Sequence, residues 1–299
     1  MALTSRKARV ALVLLAAPTG FGILVAASAA RHARRFVQPP RARVSQEQRI
    51  EARNRLPSLE DVELRTRDGL VLRGWFAKGR MKDAVILVHG LSSNRCDLLP
   101  EAEILAGRGH GVLVYDSRAS GDSDGDVATW GDRERLDVAA ALDFLGARTD
   151  VDPTKVGAYG FSVGASAVAL VAAVDPRVRA VALGPTWTSL EEELLHKFGK
   201  WGVFSAWPAE WTFRAFGVDV AAVRPIDVVH RIPPRPLMLV SGSLDDDTPP
   251  AVMERLHRAV PPAERWLVPG AGHGGFATAL PDEFARRFSG FFDAAFGSG

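Results

Sequence analysis

The residues whose types and spacing could carry out chemistry begin with residues 160–164, which read Gly-Phe-Ser-Val-Gly. In a Gly-x-Ser-x-Gly turn between a strand and a helix, small flanking residues let the two backbones approach closely and hold the serine in a strained conformation. The amide of Val163 would begin the helix, where the positive end of the helix dipole favours an oxyanion. Ser162 is therefore the predicted nucleophile, against the alternative of a serine that only caps its helix.

The predicted general base is His273. A serine hydroxyl is unreactive at neutral pH unless a neighbouring base takes its proton as it attacks. His273 lies in a glycine-rich loop after the last predicted strand, from which its imidazole can return over Ser162. Surface or structural roles are expected for the remaining histidines, which are His32, His89, His110, His196, His230 and His257.

The elements that must position these residues alternate between short apolar strands and helices. Residues 62–66 and 70–76 alternate polar and apolar side chains around Asp68 and Gly69, which predicts a hairpin. The strands predicted after it are residues 84–88, 111–115, 156–159 and 178–183, and the helices are residues 133–145, 162–174 and one ending near residue 108. This alternation predicts a doubly wound, mostly parallel sheet.

The candidate residues should gather at one edge of that sheet. His89, Asp116, Ser162 and the loops after Val240 and Val268 each follow a predicted strand. Ligands of doubly wound sheets bind beyond the carboxyl ends of the strands. We therefore expect these positions to lie close together.

Composition narrows the class of protein. At 299 residues, with 47% hydrophobic and 24% charged residues, the chain is long enough to bury a sizeable core. The formal net charge is +2 and no basic stripe is interleaved with aromatic residues, so no nucleic-acid partner is expected. The single cysteine, Cys96, excludes an internal disulfide and a thiolate metal site, and a buried or incidental thiol is expected.

Five motifs of the chain resemble those of the α/β-hydrolase superfamily. The candidate serine, aspartate and histidine within them follow one another in the order typical of that family. The five motifs are Val88-His89-Gly90 at a strand end, residues 116–123 (Asp-Ser-Arg-Ala-Ser-Gly-Asp-Ser), residues 160–164, residues 241–249 (Ser-Gly-Ser-Leu-Asp-Asp-Asp-Thr-Pro) and residues 270–273 (Gly-Ala-Gly-His). Ala119 stands where the family's Asp-x-Arg-Gly-x-Gly-x-Ser loop has its first glycine. The resemblance covers residues 62–292 and is strongest to membrane-anchored bacterial serine hydrolases often labelled esterases or serine aminopeptidases.

The resemblance implies an α/β-hydrolase fold, a doubly wound mostly parallel sheet with a small helical cap, and a Ser-His-Asp triad. Asp245, Asp246 and Asp247 compete to orient His273 and to stabilise its imidazolium. Asp245 is favoured, because its spacing from Gly242 and from the first following proline matches the family's Gly-x-x-Asp-x-x-x-Pro.

The backbone amides of Leu91 and Val163 are the expected oxyanion hole. In the resemblance Asp116 and Arg118 brace loops and take no part in the chemistry. No metal and no organic cofactor is expected.

The N-terminal segment, residues 1–31, is predicted to be a membrane anchor or a signal segment. Residues 10–30 contain no charged residue and would span about 30 Å as a helix, the thickness of a bilayer core. An uncleaved, single N-terminal transmembrane helix is preferred over a cleaved signal peptide because the run exceeds a typical signal h-region. Its orientation stays open. Residues 32–57 are predicted to be a linker, partly helical near residues 46–55, and residues 58–299 the catalytic domain.

Residues 186–230 are predicted to form a helical cap rich in tryptophan and phenylalanine. Its rings could line a pocket for an apolar acyl substrate, pack the cap onto the body, or touch a bilayer. Hydrolysis of small-molecule carboxylic esters through an acyl-enzyme is the preferred function.

Three other functions remain open. A serine aminopeptidase would need a carboxylate cluster for a free amino terminus, with Glu191, Glu192 and Glu193 as candidates. Thioester hydrolysis would use the same machinery. A non-catalytic scaffold is disfavoured by the intact Ser, Asp and His.

Overall fold

The computed structural model describes the backbone of residues 2–297 and the side chains from residue 20 onward. The strands of this part are β1 (Leu59–Arg65), β2 (Val71–Ala77), β3 (Ala84–Val88), β4 (Gly111–Tyr115), β5 (Val156–Gly160), β6 (Val178–Leu183), β7 (Leu237–Gly242) and β8 (Glu264–Val268). The helices are α1 (Ala2–Val37), α2 (Gln46–Arg55), α3 (Leu99–Arg108), α4 (Glu134–Gly146), α5 (Val163–Ala172), α6 (Leu190–Phe198), α7 (Val203–Ala215), α8 (Pro250–Ala259), α9 (Phe276–Ala279) and α10 (Pro281–Phe296).

The strands form one eight-stranded sheet in the order β1-β2-β4-β3-β5-β6-β7-β8. The first hairpin is antiparallel and β2 pairs antiparallel with β4, whereas all neighbours from β4 to β8 pair in parallel. Since β3 pairs with both β4 and β5, the chain order reverses at β3. The predicted α/β-hydrolase fold, with its mostly parallel sheet, is confirmed.

Helices cover both faces of the sheet, which explains the unbroken apolar strands. Every residue of β3, β4 and β5 is buried. Along β3, Ile86 packs into the core beneath α4, α5 and α8, whereas its neighbours Val85 and Leu87 pack into the core beneath α3 and α10. Successive side chains of a strand point to opposite faces, so a strand covered on both faces must be apolar throughout.

The boundaries predicted by local pattern agree with the structure to within a few residues. The predicted hairpin is formed by β1 and β2, and the turn between them lies at Asp68 and Gly69. The helix predicted near residues 46–55 is α2, which begins with a capping box between Ser45 and Gln48.

The N-terminal helix requires a correction. Among the helices of the described part of the chain, none combines the length and the apolar character needed to cross a bilayer. The prediction of a membrane-anchored protein with a single N-terminal transmembrane helix is therefore wrong. The prediction rested on residues 10–30, and the side chains of residues 10–19 lie outside the part of the chain that the structure describes. Residues 20–30 account for only about 16 Å of helix, against a bilayer core of about 30 Å.

The end of α1 packs against protein, past the predicted boundary at residue 31. Ala33 and Val37 are fully buried in a cluster with Trp130 and with cap residues such as Phe213. Apolar helix surface is stabilised by any apolar partner, and here α6 and α7 provide it. The cap region contains these two helices and several short 3-10 turns.

Candidate active site

Ser162 occupies a strained turn between β5 and α5. Its φ is 54° and its ψ −116°, a conformation that side chains other than glycine rarely adopt. A β-carbon at Gly160 would lie 2.4 Å from the carbonyl oxygen of Gly164, and one at Gly164 would lie 2.3 Å from that of Val88. Only glycine fits at these two positions, so the Gly-x-Ser-x-Gly spacing follows from the close approach of α5 to β3 and β5.

His273 is held by Asp245. The imidazole Nδ1 lies 3.0 Å from Oδ2 and 3.2 Å from Oδ1 of this carboxylate. The carboxylate is buried, and its Oδ1 also accepts the backbone N–H groups of Asp247 and Thr248. Asp246 is exposed to solvent. The structure thus brings Asp245, and not Asp246, to the histidine.

The third aspartate of this run approaches the other side of the imidazole. Asp247 Oδ2 lies 3.6 Å from His273 Nε2, and its Oδ1 accepts a 2.5 Å hydrogen bond from Lys197 of the cap. Burial alone would raise the pKa of Asp247, but the ammonium group of Lys197 outweighs it and holds that pKa below its usual value. Lys197 also pairs with Glu193 of the same helix at 3.1 Å. Its bond to Asp247 links the cap to the loop after β7.

Ser162 and His273 line the same cavity of about 310 Å³. Among the residues that the structure describes, no hydrogen bond joins the serine hydroxyl to His273. Catalytic hydrogen bonds are often long in free enzymes and tighten only in the complex with substrate. The cavity brings the two residues together without a direct bond between them.

The amides of Leu91 and Val163 border this cavity as free donors. Both residues line the cavity. Within residues 2–297, neither backbone N–H donates a hydrogen bond to another protein group. Val163 is the first residue of α5, where backbone N–H groups lack partners in the helix. Two unpaired donors therefore lie beside the elbow serine.

His89 acts as a structural residue beneath the Leu91 loop. Its Nε2 accepts the backbone N–H of Ser117, so the proton of the neutral ring lies on Nδ1, which donates to the Gly90 carbonyl at 2.6 Å. Both ring nitrogens are occupied in fixing the backbone between β3 and the loop after β4. This geometry agrees with the structural role expected for His89.

Asp116 and Arg118 take part in separate ion pairs. The buried Asp116 carboxylate accepts from the Arg95 guanidinium at 2.8 Å and from the backbone N–H of Asp122. Arg118 pairs with Asp137 of α4 and with Asp68 of the β1–β2 turn. Both residues brace loops, as the resemblance implied.

The predicted buried thiol is partly enclosed. Burial raises the pKa of Cys96 to about 12. A thiol with so high a pKa carries little thiolate at neutral pH, which disfavours a nucleophilic role.

The cap aromatics divide into two sets. Trp187 lines the cavity, and Phe198 and Phe213 are buried in the cap cluster. Phe216 is half-buried against the same cluster, and four rings are exposed, which are Trp201, Phe204, Trp207 and Trp211. The sequence had left pocket lining and packing open, and Trp187 does both, since it also belongs to the buried cluster.

Sequence reasoning missed several residues of the cavity wall. Phe36 of α1, Trp130 and Lys197 all line the cavity. An aromatic residue near the end of an apolar helix, such as Phe36, carries no local signal that it will reach an active site. Trp130 is placed by its own loop, in which Glu134 accepts from the backbone N–H groups of Thr129 and Gly131 and Trp130 has a φ of 58°.

Comparisons with known proteins agree with this architecture. The model of the X-Pro dipeptidyl-peptidase (S15) family matches residues 19–217, and that of TAP-like proteins matches residues 206–281. An uncharacterized protein of Mycobacterium tuberculosis is 32% identical over 224 residues, which cover 73% of each chain. The thiohydrolase apmlB of Arthrinium phaeospermum is 36% identical over 128 residues, and this match spans 41% of each chain.

A solved structure gives the same fold. The esterase Pf2001 of Pyrococcus furiosus superposes with a TM-score of 0.70 at 23% identity, covering 86% of this chain and 99% of that one. At this identity the likeness concerns the fold. The S15 model, by contrast, matches about two thirds of the sequence. The chain is therefore a hydrolase of the α/β-hydrolase superfamily and belongs to the family described by the X-Pro dipeptidyl-peptidase (S15) model.

Proposed function

We propose that this protein is a serine hydrolase that cleaves carboxylic esters through an acyl-enzyme, with Ser162 as nucleophile, His273 as base and Asp245 as the acid of the triad. The observation that carries the proposal is the hydrogen bond that His273 Nδ1 donates to the Asp245 carboxylate at the wall of the cavity that contains the elbow serine. A buried carboxylate on Nδ1 keeps the proton there and leaves Nε2 free to accept one.

In the first half of the reaction, Ser162 Oγ attacks the ester carbonyl carbon while His273 Nε2 takes the hydroxyl proton. The carbonyl oxygen becomes an oxyanion, which the Leu91 and Val163 amides stabilise. Removing one donor of this kind costs about 3–4 kcal/mol of transition-state stabilisation. The intermediate collapses, the bond to the alcohol oxygen breaks, and His273 gives its proton to the departing alkoxide.

In the second half, water replaces the alcohol. His273 takes a proton from the water as its oxygen attacks the acyl carbon, and the bond to Ser162 Oγ then breaks. The proton returns to Ser162, and a carboxylic acid leaves. Throughout, the Asp245 carboxylate stabilises the transient imidazolium without taking its proton.

The ion pairs of the three candidate glutamates disfavour the aminopeptidase alternative. Glu191 pairs with Arg224, Glu192 with Arg255, and Glu193 with Lys197. Only Glu193 of the three lines the cavity, and burial raises its pKa. A free amino terminus would need unpaired carboxylates converging on it, and these three point to separate partners.

Thioester hydrolysis is the second candidate. It is favoured by the 36% identity over 128 residues to a protein named a thiohydrolase. The acyl-enzyme steps are the same, but a thiolate leaves without needing the proton. Comparing an oxygen ester with a thioester of the same acyl group separates the two activities.

The test is labelling of the full chain with a fluorophosphonate, followed by peptide mapping and turnover of p-nitrophenyl butyrate. We expect the label on Ser162, and a loss of kcat of at least about 10³-fold in Ser162→Ala and in His273→Ala. Ser166→Ala is the matched control, because Ser166 lies one turn further along α5 and its hydroxyl has no hydrogen-bond partner in the described structure. Folded wild-type protein that neither labels nor turns over any ester would overturn the proposal.

A further inference from the structure

We propose that the groove between α1 and the segment from Phe198 to Ser205 binds the acyl chain of the substrate, and that the substrate class is esters of medium and long-chain fatty acids. This inference rests on the proposed function and specifies its substrate. The N-terminal helix would then form part of the substrate site.

The groove has a volume of about 470 Å³ and an apolar wall. From α1 it is lined by Phe21, Leu24 and Ser28, and from the opposite side by Phe198 and Trp201. Phe21, Leu24 and Trp201 are each more than half exposed. Exposed apolar surface in a concave site gains free energy when an apolar ligand covers it.

The groove is aligned with the catalytic cavity along α1. Phe21, Leu24, Ser28, His32 and Phe36 follow one another at intervals of three or four residues, which places them on one face of the helix. The first four line the groove and the last lines the catalytic cavity. At helical rise this stripe extends about 22 Å away from the cavity.

The two spaces meet at the end of α6. Lys197 lines both of them, and the Phe198 ring lies 5.7 Å from the Phe36 ring, centroid to centroid. The Lys197 ammonium is held aside by Glu193 and Asp247, so its methylene stem is the part available to both spaces. A chain attached to Ser162 would therefore pass apolar atoms on its way into the groove.

Adjacency to the catalytic cavity, with Lys197 shared by the two linings, favours an acyl chain over other occupants. The polar residues on the wall are Ser28, His32, Lys197, Lys200 and Ser205, and the Lys197 ammonium is already paired with Glu193 and Asp247. A peptide would leave its backbone N–H and C=O groups without a regular set of partners here. A hydrocarbon chain has no such requirement.

The first test compares kcat/KM for p-nitrophenyl laurate with that for the butyrate ester in the full-length protein, below the concentration at which the esters aggregate. Each buried methylene raises kcat/KM by up to about fourfold. The ratio of kcat/KM for laurate to that for butyrate should therefore exceed about tenfold in the wild-type protein. Leu24→Gln should lower this ratio by about threefold to tenfold. Ile23→Gln is the matched control, since Ile23 is 65% exposed and Leu24 70%, but only Leu24 lines the groove.

A second pair of variants tests the same site by filling it. Ser28→Trp should lower the laurate-to-butyrate ratio by more than about tenfold, whereas Ala27→Trp, at an exposed position outside the groove, should leave it within about twofold. Thermal unfolding of each variant establishes that the ratios come from folded protein.

The outcomes separate this inference from the proposed function. If butyrate is hydrolysed but the ratio is unchanged in both Leu24→Gln and Ser28→Trp, the groove serves another occupant, such as a second copy of this chain, and the inference is overturned while the esterase stands. If the ratio falls equally in the control variants, the effect is not local and the inference is again overturned. If no ester of any length is hydrolysed, both this inference and the proposed function are overturned.

Discussion

At the scale of single residues, the three adjacent aspartates after β7 show how backbone conformation separates equivalent side chains. Asp245 turns inward and meets His273 Nδ1, Asp246 faces solvent, and Asp247 meets Lys197. Two backbone N–H groups donate to Asp245 Oδ1 and fix its carboxylate before it contacts the imidazole. A carboxylate held in this way can orient a histidine without moving itself.

Replacing Asp245 by Asn should lower kcat by about 10³–10⁴-fold, because an amide on Nδ1 no longer enforces the tautomer that leaves Nε2 free. Asp246→Asn, which changes the neighbouring exposed carboxylate in the same way, should keep kcat within about twofold. Turnover of p-nitrophenyl butyrate measures both, and circular dichroism checks that the proteins are folded. The opposite ranking of the two variants would remove Asp245 from the triad.

At the scale of elements, the loop after β4 is stabilised by ion pairs to two other elements. Arg118 bridges Asp68 of the β1–β2 turn and Asp137 of α4. Ala119, which replaces a glycine of the family's loop, has a φ of 59°. The ion pairs therefore hold a backbone conformation that an alanine does not favour, and they do so beside the elbow.

The ion pair between Asp68 and Arg118 should make stability depend on pH. The hydrogen bond from Arg118 lowers the pKa of Asp68 to about 2, below the value of about 3.9 for an unfolded chain. Its contribution is therefore fully present above about pH 4 and is lost as the pH falls towards 2.

Because the Asp68 side chain is about one third exposed, we expect Asp68→Asn to lower the free energy of unfolding by only about 1 kcal/mol at pH 7. The difference from wild type should shrink below about pH 4. Urea unfolding across this range measures it, with Asp126→Asn, at an 88% exposed side chain, as the control expected to have no effect. A difference that grows on acidification would contradict the assigned direction.

At the scale of the whole molecule, α1, the cap and the catalytic domain share one apolar cluster. Val37 at the end of α1 is completely buried with Trp130, which follows β4, and with Phe213 of α7. The indole N–H of Trp130 donates to the carbonyl of Phe36 at 3.1 Å. The N-terminal helix is thus part of the wall around the active site.

Val37→Ala should lower the free energy of unfolding by about 2 kcal/mol, because it removes two buried methyl groups and leaves a cavity between α1 and the cap. Val174→Ala removes the same groups at a position that is 72% exposed, and it should change stability by less than about 0.5 kcal/mol. Urea titration followed by tryptophan fluorescence gives both values. Equal stability of the two variants would mean that α1 does not pack on the cap in solution.

The sequence by itself determined the features that depend on local interactions. Strand positions followed from local hydropathy, which alternates in β1 and β2 and is apolar throughout in β3 and β4. The elbow at residues 160–164 was predicted because the small glycines on both sides of Ser162 let the strand and the helix approach closely. The order of the motifs then predicted the α/β-hydrolase fold, which the structure and the family match confirm.

Only the tertiary structure decided what depends on residues distant in the chain. The contact between Asp245 and His273 joins two loops 28 residues apart, and Phe36 reaches the cavity from a helix that local hydropathy had assigned to a membrane. An apolar stretch indicates that burial is favourable, but it does not indicate which surface will cover the stretch, since the hydrophobic effect has no direction. The course of the chain selects that surface, and here it placed the end of α1 against the cap.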